Sequence, residues 1–332
     1  MQDETFFAVT DDGWRLALHR FVPDGPARRH PLLLVHGLAA NRLTFDLNEH
    51  YSLARAARQR GFDVYILELR GAGVTQAPEG ADRSQYEWSF YDYAERDLPT
   101  AIATVLERSR APALHGLGHS MGGMLFYSAG VRARAELRSI TAIGAPIMSQ
   151  LQLGARERSL LQVAASLTPA ATLTPTAQRR VPLRRLLGAA LRYMPMSARL
   201  ADGILLNSAN CEPAVVARMA REGIEDLPLR LLRDIIQHMG RPPIPGGPFA
   251  FEAQLAGIEV PVLVIAGAAD RLAPPAAVAA AAAQLRGAAV RYHAMGLAQG
   301  LSAEYGHVDL LLGRRAPEEI YPRILDFLQE VD

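Results

Sequence analysis

Ser120 stands in a Gly-x-Ser-x-Gly frame, flanked by Gly118 and Gly122, between a short apolar run that starts at Ala113 and a helix-like run that follows. A strand, a sharp turn and a helix in that order turn a five-residue match into a nucleophile elbow. The serine of such an elbow takes a strained backbone conformation, and side chains at Gly118 or Gly122 would collide across the turn. Its hydroxyl is pushed outward, and the helix that begins there points unpaired amides at any oxyanion formed on it.

The flanking chain alternates between buried strands and helices. Residues 5–9 and 14–22 read as antiparallel strands joined at Asp11-Asp12-Gly13, and Pro31 to Val35 reads as a strand buried on both faces. A helix from about Asp46 to Arg60, a strand over Val64 to Leu67, a helix from about Asp92 to Arg108 and a strand over Ile140 to Ile143 follow. That alternation predicts an α/β fold built on a mostly parallel sheet. It stops between Ile147 and Gly247, where Leu183, Leu186, Leu187 and Leu191, and then Leu227, Leu231 and Ile235, recur at helical spacing. It resumes with Val260 to Ala266, an alanine-rich helix to about Arg286, a strand near Val290 to His293 and a helix from Pro317 to Gln329. Residues 1–146 and 248–332 are therefore expected to form one core, and residues 147–247 a helical insertion capping Ser120.

A serine hydroxyl needs a histidine base, and the histidine needs a carboxylate to fix its tautomer. After an elbow the order is serine, acid, histidine. Asp270 lies in the loop after the strand ending near Ala266, and His307 lies before the last helix. Asp270 also reads as a turn or cap residue, and Asp309 is the competing acid, although a neighbour so close in sequence seldom reaches the far ring nitrogen. Two amides must hold the oxyanion. Met121, directly after the serine, supplies one, and Leu38, after Gly37 at the end of the strand over Pro31 to Val35, supplies the other.

Composition narrows the alternatives. A net charge of +1 with 35 basic residues, all of them Arg, gives no footprint for nucleic acid. Cys211 is the only cysteine, which excludes an intrachain disulfide and a cysteine-rich metal site. No signal-peptide pattern opens the sequence and no run reaches membrane-spanning length, so the expectation is a cytoplasmic protein with no integral membrane segment. The chemistry calls for no metal and no organic cofactor.

With these residues in place the chain is similar to the α/β-hydrolase superfamily over nearly all its length except the insertion. Within it, the chain most resembles the gastric and lysosomal acid lipases. The resemblance rests on Leu34-Val35-His36-Gly37-Leu38, on Gly61-Phe62-Asp63-Val64-Tyr65 running to Arg70-Gly71, and on Trp88 to Ala94 followed by Asp97-Leu98-Pro99. It continues in Tyr305-Gly306-His307-Val308-Asp309 and in Ala316 to Tyr321. It implies an eight-stranded, mostly parallel sheet flanked by helices. It also implies a serine hydrolase acting on a hydrophobic ester through Ser120, Asp270 and His307. Relatives of this fold with a cysteine or aspartate nucleophile are set aside by Ser120.

Two other functions remain open on the sequence. Arg179-Arg180, Arg184-Arg185 and Arg192 form either a solvated helical face or a site for an anionic carrier arm, which would suit a thioesterase or acyltransferase on a thioester substrate. A binding protein without turnover is the third reading, and such proteins often lack a triad member that is present here.

Overall fold

The computed structural model describes residues 3–80, 87–152, 154, 180–184 and 206–332. Its strands are β1 (Glu4–Val9), β2 (Arg15–Phe21), β3 (Leu32–Val35), β4 (Val64–Glu68), β5 (Leu114–His119), β6 (Leu137–Ile143), β7 (Arg180–Val181), β8 (Leu227–Pro228), β9 (Val262–Gly267) and β10 (Val290–Met295). Eight of them form one sheet in the order β1-β2-β4-β3-β5-β6-β9-β10, while β7 and β8 pair separately. β2 runs antiparallel to both β1 and β4. The remaining pairs in the large sheet are parallel, as the alternation of strands and helices requires.

Among the described residues, the α-helices of seven or more residues are α1 (Leu53–Gln59), α2 (Leu98–Ser109), α3 (Met121–Arg132), α4 (Pro213–Glu222), α5 (Leu229–His238), α6 (Pro275–Gln284) and α7 (Tyr321–Val331). They cover both faces of the sheet, and β3 shows how. Leu33 and Val35 pack into one apolar cluster with residues of α2 and α3. Leu32 and Leu34, which point the other way, pack into a second cluster with residues of α1 and α7. A four-residue strand with no exposed face has to be apolar throughout, which explains its unbroken run of Leu and Val.

Several elements depart from the sequence-based expectations. The helix expected from Asp46 begins only at Leu53, because Ser52 caps it by accepting from the Arg55 amide at 3.0 Å. Leu227 lies in β8, paired with Val181, and not in a helix. The closing helix is split into a turn over Ala316–Glu319 and α7, and Pro322 at the start of α7 has no amide to continue the earlier turn. In the insertion, the described residues form the turn Met148–Gln150, the β7–β8 pair, the turn Ser208–Asn210 and helices α4 and α5. Leu186, Leu187, Leu191, Arg179, Arg185 and Arg192 lie outside the described residues.

Parts of segment 147–247 are fastened to residues outside it. The Glu225 amide donates to the Ala39 carbonyl at 2.9 Å, beside an antiparallel bridge between Ala40 and Ile224. The Met148 and Ser149 amides donate to the buried Glu252 carboxylate. No helix among the described residues is long and apolar enough to cross a membrane.

Candidate active site

The elbow at Ser120 is built by β5, α3 and the absence of side chains around them. Ser120 has φ 55° and ψ −122°, a left-handed conformation that costs a non-glycine residue on the order of 1–3 kcal/mol. Its amide offsets part of that by donating to the Ile143 carbonyl at 2.7 Å. A Cβ on Gly118 would overlap the Gly122 carbonyl group, and one on Gly122 would overlap the Val35 carbonyl oxygen. Gly123, which the sequence reading did not single out, faces a similar overlap with Ala145. Gly122→Ala is therefore expected to cost about 3 kcal/mol or more in urea unfolding. Gly25→Ala, with nothing within 4 Å of its would-be Cβ, should stay within about 0.5 kcal/mol of the parent.

Asp270 and His307 meet as the sequence order predicts. Asp270 Oδ2 lies 2.7 Å from His307 Nδ1, and both residues are buried. The other carboxylate oxygen accepts from the Leu272 and Ala273 amides at 2.9 and 2.8 Å. Its role as a turn residue and its contact with the imidazole are thus two halves of one arrangement. A Cβ on Gly144, at φ 56°, would lie 3.2 Å from the His307 ring, so a glycine at the end of β6 makes room for that imidazole. Asp309 is also buried, yet it turns away from the ring. It accepts from the amides of Gly306 and Asn207 and from Asn210 Nδ2 at 2.9 to 3.0 Å, bracing the loop that carries His307.

The residue before Ser120 ties β5 to the loop that carries His307. His119 Nε2 donates to the His307 carbonyl at 3.0 Å, and the two rings lie 4.7 Å apart. Burial, reinforced by the neighbouring imidazole of His307, pushes His119 down to about 3, so it acts as a neutral donor. The structure shows no hydrogen bond between the Ser120 hydroxyl and the His307 ring, a contact that commonly tightens only with substrate in place.

The loop carrying Leu38 reaches the serine because Gly37 lets it; a Cβ there would sit 3.0 Å from Ser120 Cβ. Met121, as the first residue of α3, has an amide with no acceptor inside the helix. His36 locks the loop, since its Nδ1 donates to the Gly37 carbonyl at 2.9 Å and its Nε2 accepts from the Leu69 amide at 3.2 Å. Burial holds this ring below its usual pKa and thus neutral. A small cavity lined by Gly37, Ala39, Met121, Glu225 and Leu227 lies next to the loop.

Two carboxylates that sequence reasoning missed hold the surrounding backbone. Glu225 Oε1 accepts from Asn41 Nδ2 at 2.8 Å and from the Gly73 amide at 3.1 Å. Glu68 accepts from the Arg42 and Val74 amides and lies 3.2 Å from His19 Nε2. Burial raises the Glu225 carboxyl above its ordinary value. Burial would do the same to Glu68, but His19 and the Val74 amide outweigh it and hold that carboxyl below 4.5. A depressed folded-state pKa contributes stability above the unfolded value that is lost as pH falls through the folded one. Thermal melts should therefore show the parent losing stability below 4.5 more steeply than Glu68→Gln, which has no proton to gain there.

A family model for the alpha/beta hydrolase fold matches residues 30–298. The chain is 33% identical to lipase lipl-3 of Caenorhabditis elegans over 135 residues, which cover 37% of this chain and 33% of that lipase. It is 27% identical to the gastric triacylglycerol lipase of Homo sapiens over 160 residues, which cover 44% of this chain and 39% of that protein. The matched stretch thus spans about a third to two fifths of the length of these curated relatives. Among solved structures, a thermophilic esterase from Thermogutta terrifontis superposes with a TM-score of 0.62 at 16% identity, covering 100% of this chain and 99% of that one. A monoacylglycerol lipase from Paleococcus ferrophilus gives 0.62 at 17% identity, covering 96% and 99%. At such identities the two structures speak to the fold alone. With the sheet order, the strained serine and a family match over most of its length, the chain belongs to the alpha/beta hydrolase family.

Proposed function

We propose that the protein hydrolyses carboxylic esters with a hydrophobic acyl or alcohol group through an acyl-enzyme on Ser120. The observation that carries the proposal is the Asp270 carboxylate, held by two amides on one oxygen and by His307 Nδ1 on the other, in a chain whose elbow holds Ser120 at φ 55°. A neutral His307 keeps its proton on Nδ1, facing Asp270, and offers Nε2 as the base. Ser120 Oγ attacks the ester carbonyl as its proton passes to Nε2, and the Leu38 and Met121 amides donate hydrogen bonds to the oxyanion formed on the carbonyl oxygen. The imidazolium returns its proton to the leaving alcohol. Water then attacks the acyl-serine by the same route and releases the acid. Each amide donor of such a hole is worth on the order of a hundred- to a thousandfold in kcat.

The segment 147–247 serves in this account as a cap over the serine. The contacts from Glu222, Ile224 and Glu225 to residues 39–41 support it, as does the apolar face of α5, with Leu231 and Leu232 buried. The names of the lipase and esterase relatives agree with an ester substrate. The test is a series of p-nitrophenyl esters of increasing acyl length run beside acyl thioesters. Ester turnover well above background and above thioester turnover is expected. Turnover of thioesters alone would favour a thioesterase or acyltransferase instead.

A further inference from the structure

At the opposite end of the sheet from Ser120, three donors from distant parts of the sequence converge. His30 precedes β3, His115 lies in β5 and Asp332 follows α7. His115 is five positions before Ser120, which places the cluster roughly 16 Å along the strand from the serine. Asp332 Oδ1 lies 3.1 Å from His30 Nδ1 and 3.2 Å from His115 Nε2, and one donor atom from each residue falls within 4.8 Å of the others. The geometry points to a divalent-metal site, formed by His30, His115 and Asp332, that clamps the end of α7 to the floor of the sheet.

The spacing suits a zinc-like ion. Ligands about 2.0–2.1 Å from a tetrahedral centre stand about 3.3–3.4 Å apart, close to both imidazole–carboxylate separations here. His115 has the outer partner that metal-binding histidines usually carry, since its Nδ1 lies 2.8 Å from Ser139 Oγ. Ligation of a cation at Nε2 would leave Nδ1–H to donate to that hydroxyl. Both rings are buried. The ring of Phe62 packs edge-on against His115 and restricts its rotation. Arg28 stands 3.9 Å from the second Asp332 oxygen, and Arg138 reaches the Asp332 main-chain oxygen at 3.5 Å. Coordination through Oδ1 alone leaves both contacts in place, and two nitrogens with one oxygen suit Zn2+ or Co2+ better than Mg2+ or Ca2+.

The test is calorimetric titration of the chelator-treated full chain with Zn2+ alone, with Co2+ as a spectroscopic probe. One Zn2+ per chain is expected, with a Kd at or below about 10 µM, a rise in Tm on binding and a visible Co2+ spectrum of tetrahedral type. His30→Gln and Asp332→Asn should each weaken binding at least about tenfold and remove the rise in Tm, whereas His307→Gln should bind as the parent does. Circular dichroism checks that each variant is folded. Should a ligand variant fail to fold, the stoichiometry and Co2+ spectrum of the parent, set against His307→Gln, still decide. The proposal is overturned by absence of stoichiometric binding to the parent, by folded ligand variants with unchanged affinity, or by loss of binding in His307→Gln.

Discussion

Replacing Ser120 by Ala should lower kcat for a p-nitrophenyl ester by on the order of a millionfold while leaving the protein folded. The size follows from the division of labour. In the proposed mechanism, removing the hydroxyl removes the atom that forms the acyl-enzyme, and His307 and Asp270 then have no nucleophile to activate. The remaining rate comes only from binding and from the amides that polarise the carbonyl. The fold should survive because what fixes the elbow is main-chain structure: the Ser120 amide on the Ile143 carbonyl, and the close approach of Gly118 to Gly122. Alanine pays the same left-handed backbone penalty as serine, so urea unfolding should agree with the parent within about 1 kcal/mol. Loss of activity together with loss of fold would place the effect in the elbow and not in the chemistry.

The second large effect separates the two carboxylates near His307. Asp270→Asn should cut kcat by about four orders of magnitude. The Leu272 and Ala273 amides both point at Asp270 Oδ1, so the asparagine would keep its carbonyl oxygen there and turn its NH2 toward His307 Nδ1. An imidazole that accepts at Nδ1 carries its proton on Nε2 and cannot take one from Ser120. Asp309→Asn should behave differently. Three donors converge on its two oxygens, and an amide can accept at only one of its two positions. The variant should lose about 1–3 kcal/mol of stability with less than a tenfold change in kcat. The reverse pattern in kcat would make Asp309 the acid.

What could be read from the sequence was what short-range geometry determines. Gly118, Ser120 and Gly122 are close neighbours in the chain, and the overlaps that demand glycine lie within the same turn or on the adjoining strand. Asp270 and His307 could be placed because a strand end and a closing helix bracket them, although 37 positions separate them. Glu68 and Glu225 could not. Glu225 acts on Asn41 and Gly73 across separations of 184 and 152 residues, and neither periodicity nor turn chemistry carries that pairing. The hydrogen bond from His119 to the His307 carbonyl becomes visible only once β5 and the His307 loop stand side by side. The helical spacing of Leu231 and Ile235 was legible as α5, but Leu227 shows the limit: the same apolar spacing served a strand pair.

Labelling with a fluorophosphonate, read by intact mass and peptide mapping, tests most directly whether Ser120 is an activated nucleophile. The folded protein should acquire one adduct, located on Ser120, and the adduct should be absent from Ser120→Ala and from protein unfolded in urea before exposure. A folded parent that stays unlabelled, or an adduct that persists in Ser120→Ala, would contradict the assignment of Ser120 as the nucleophile.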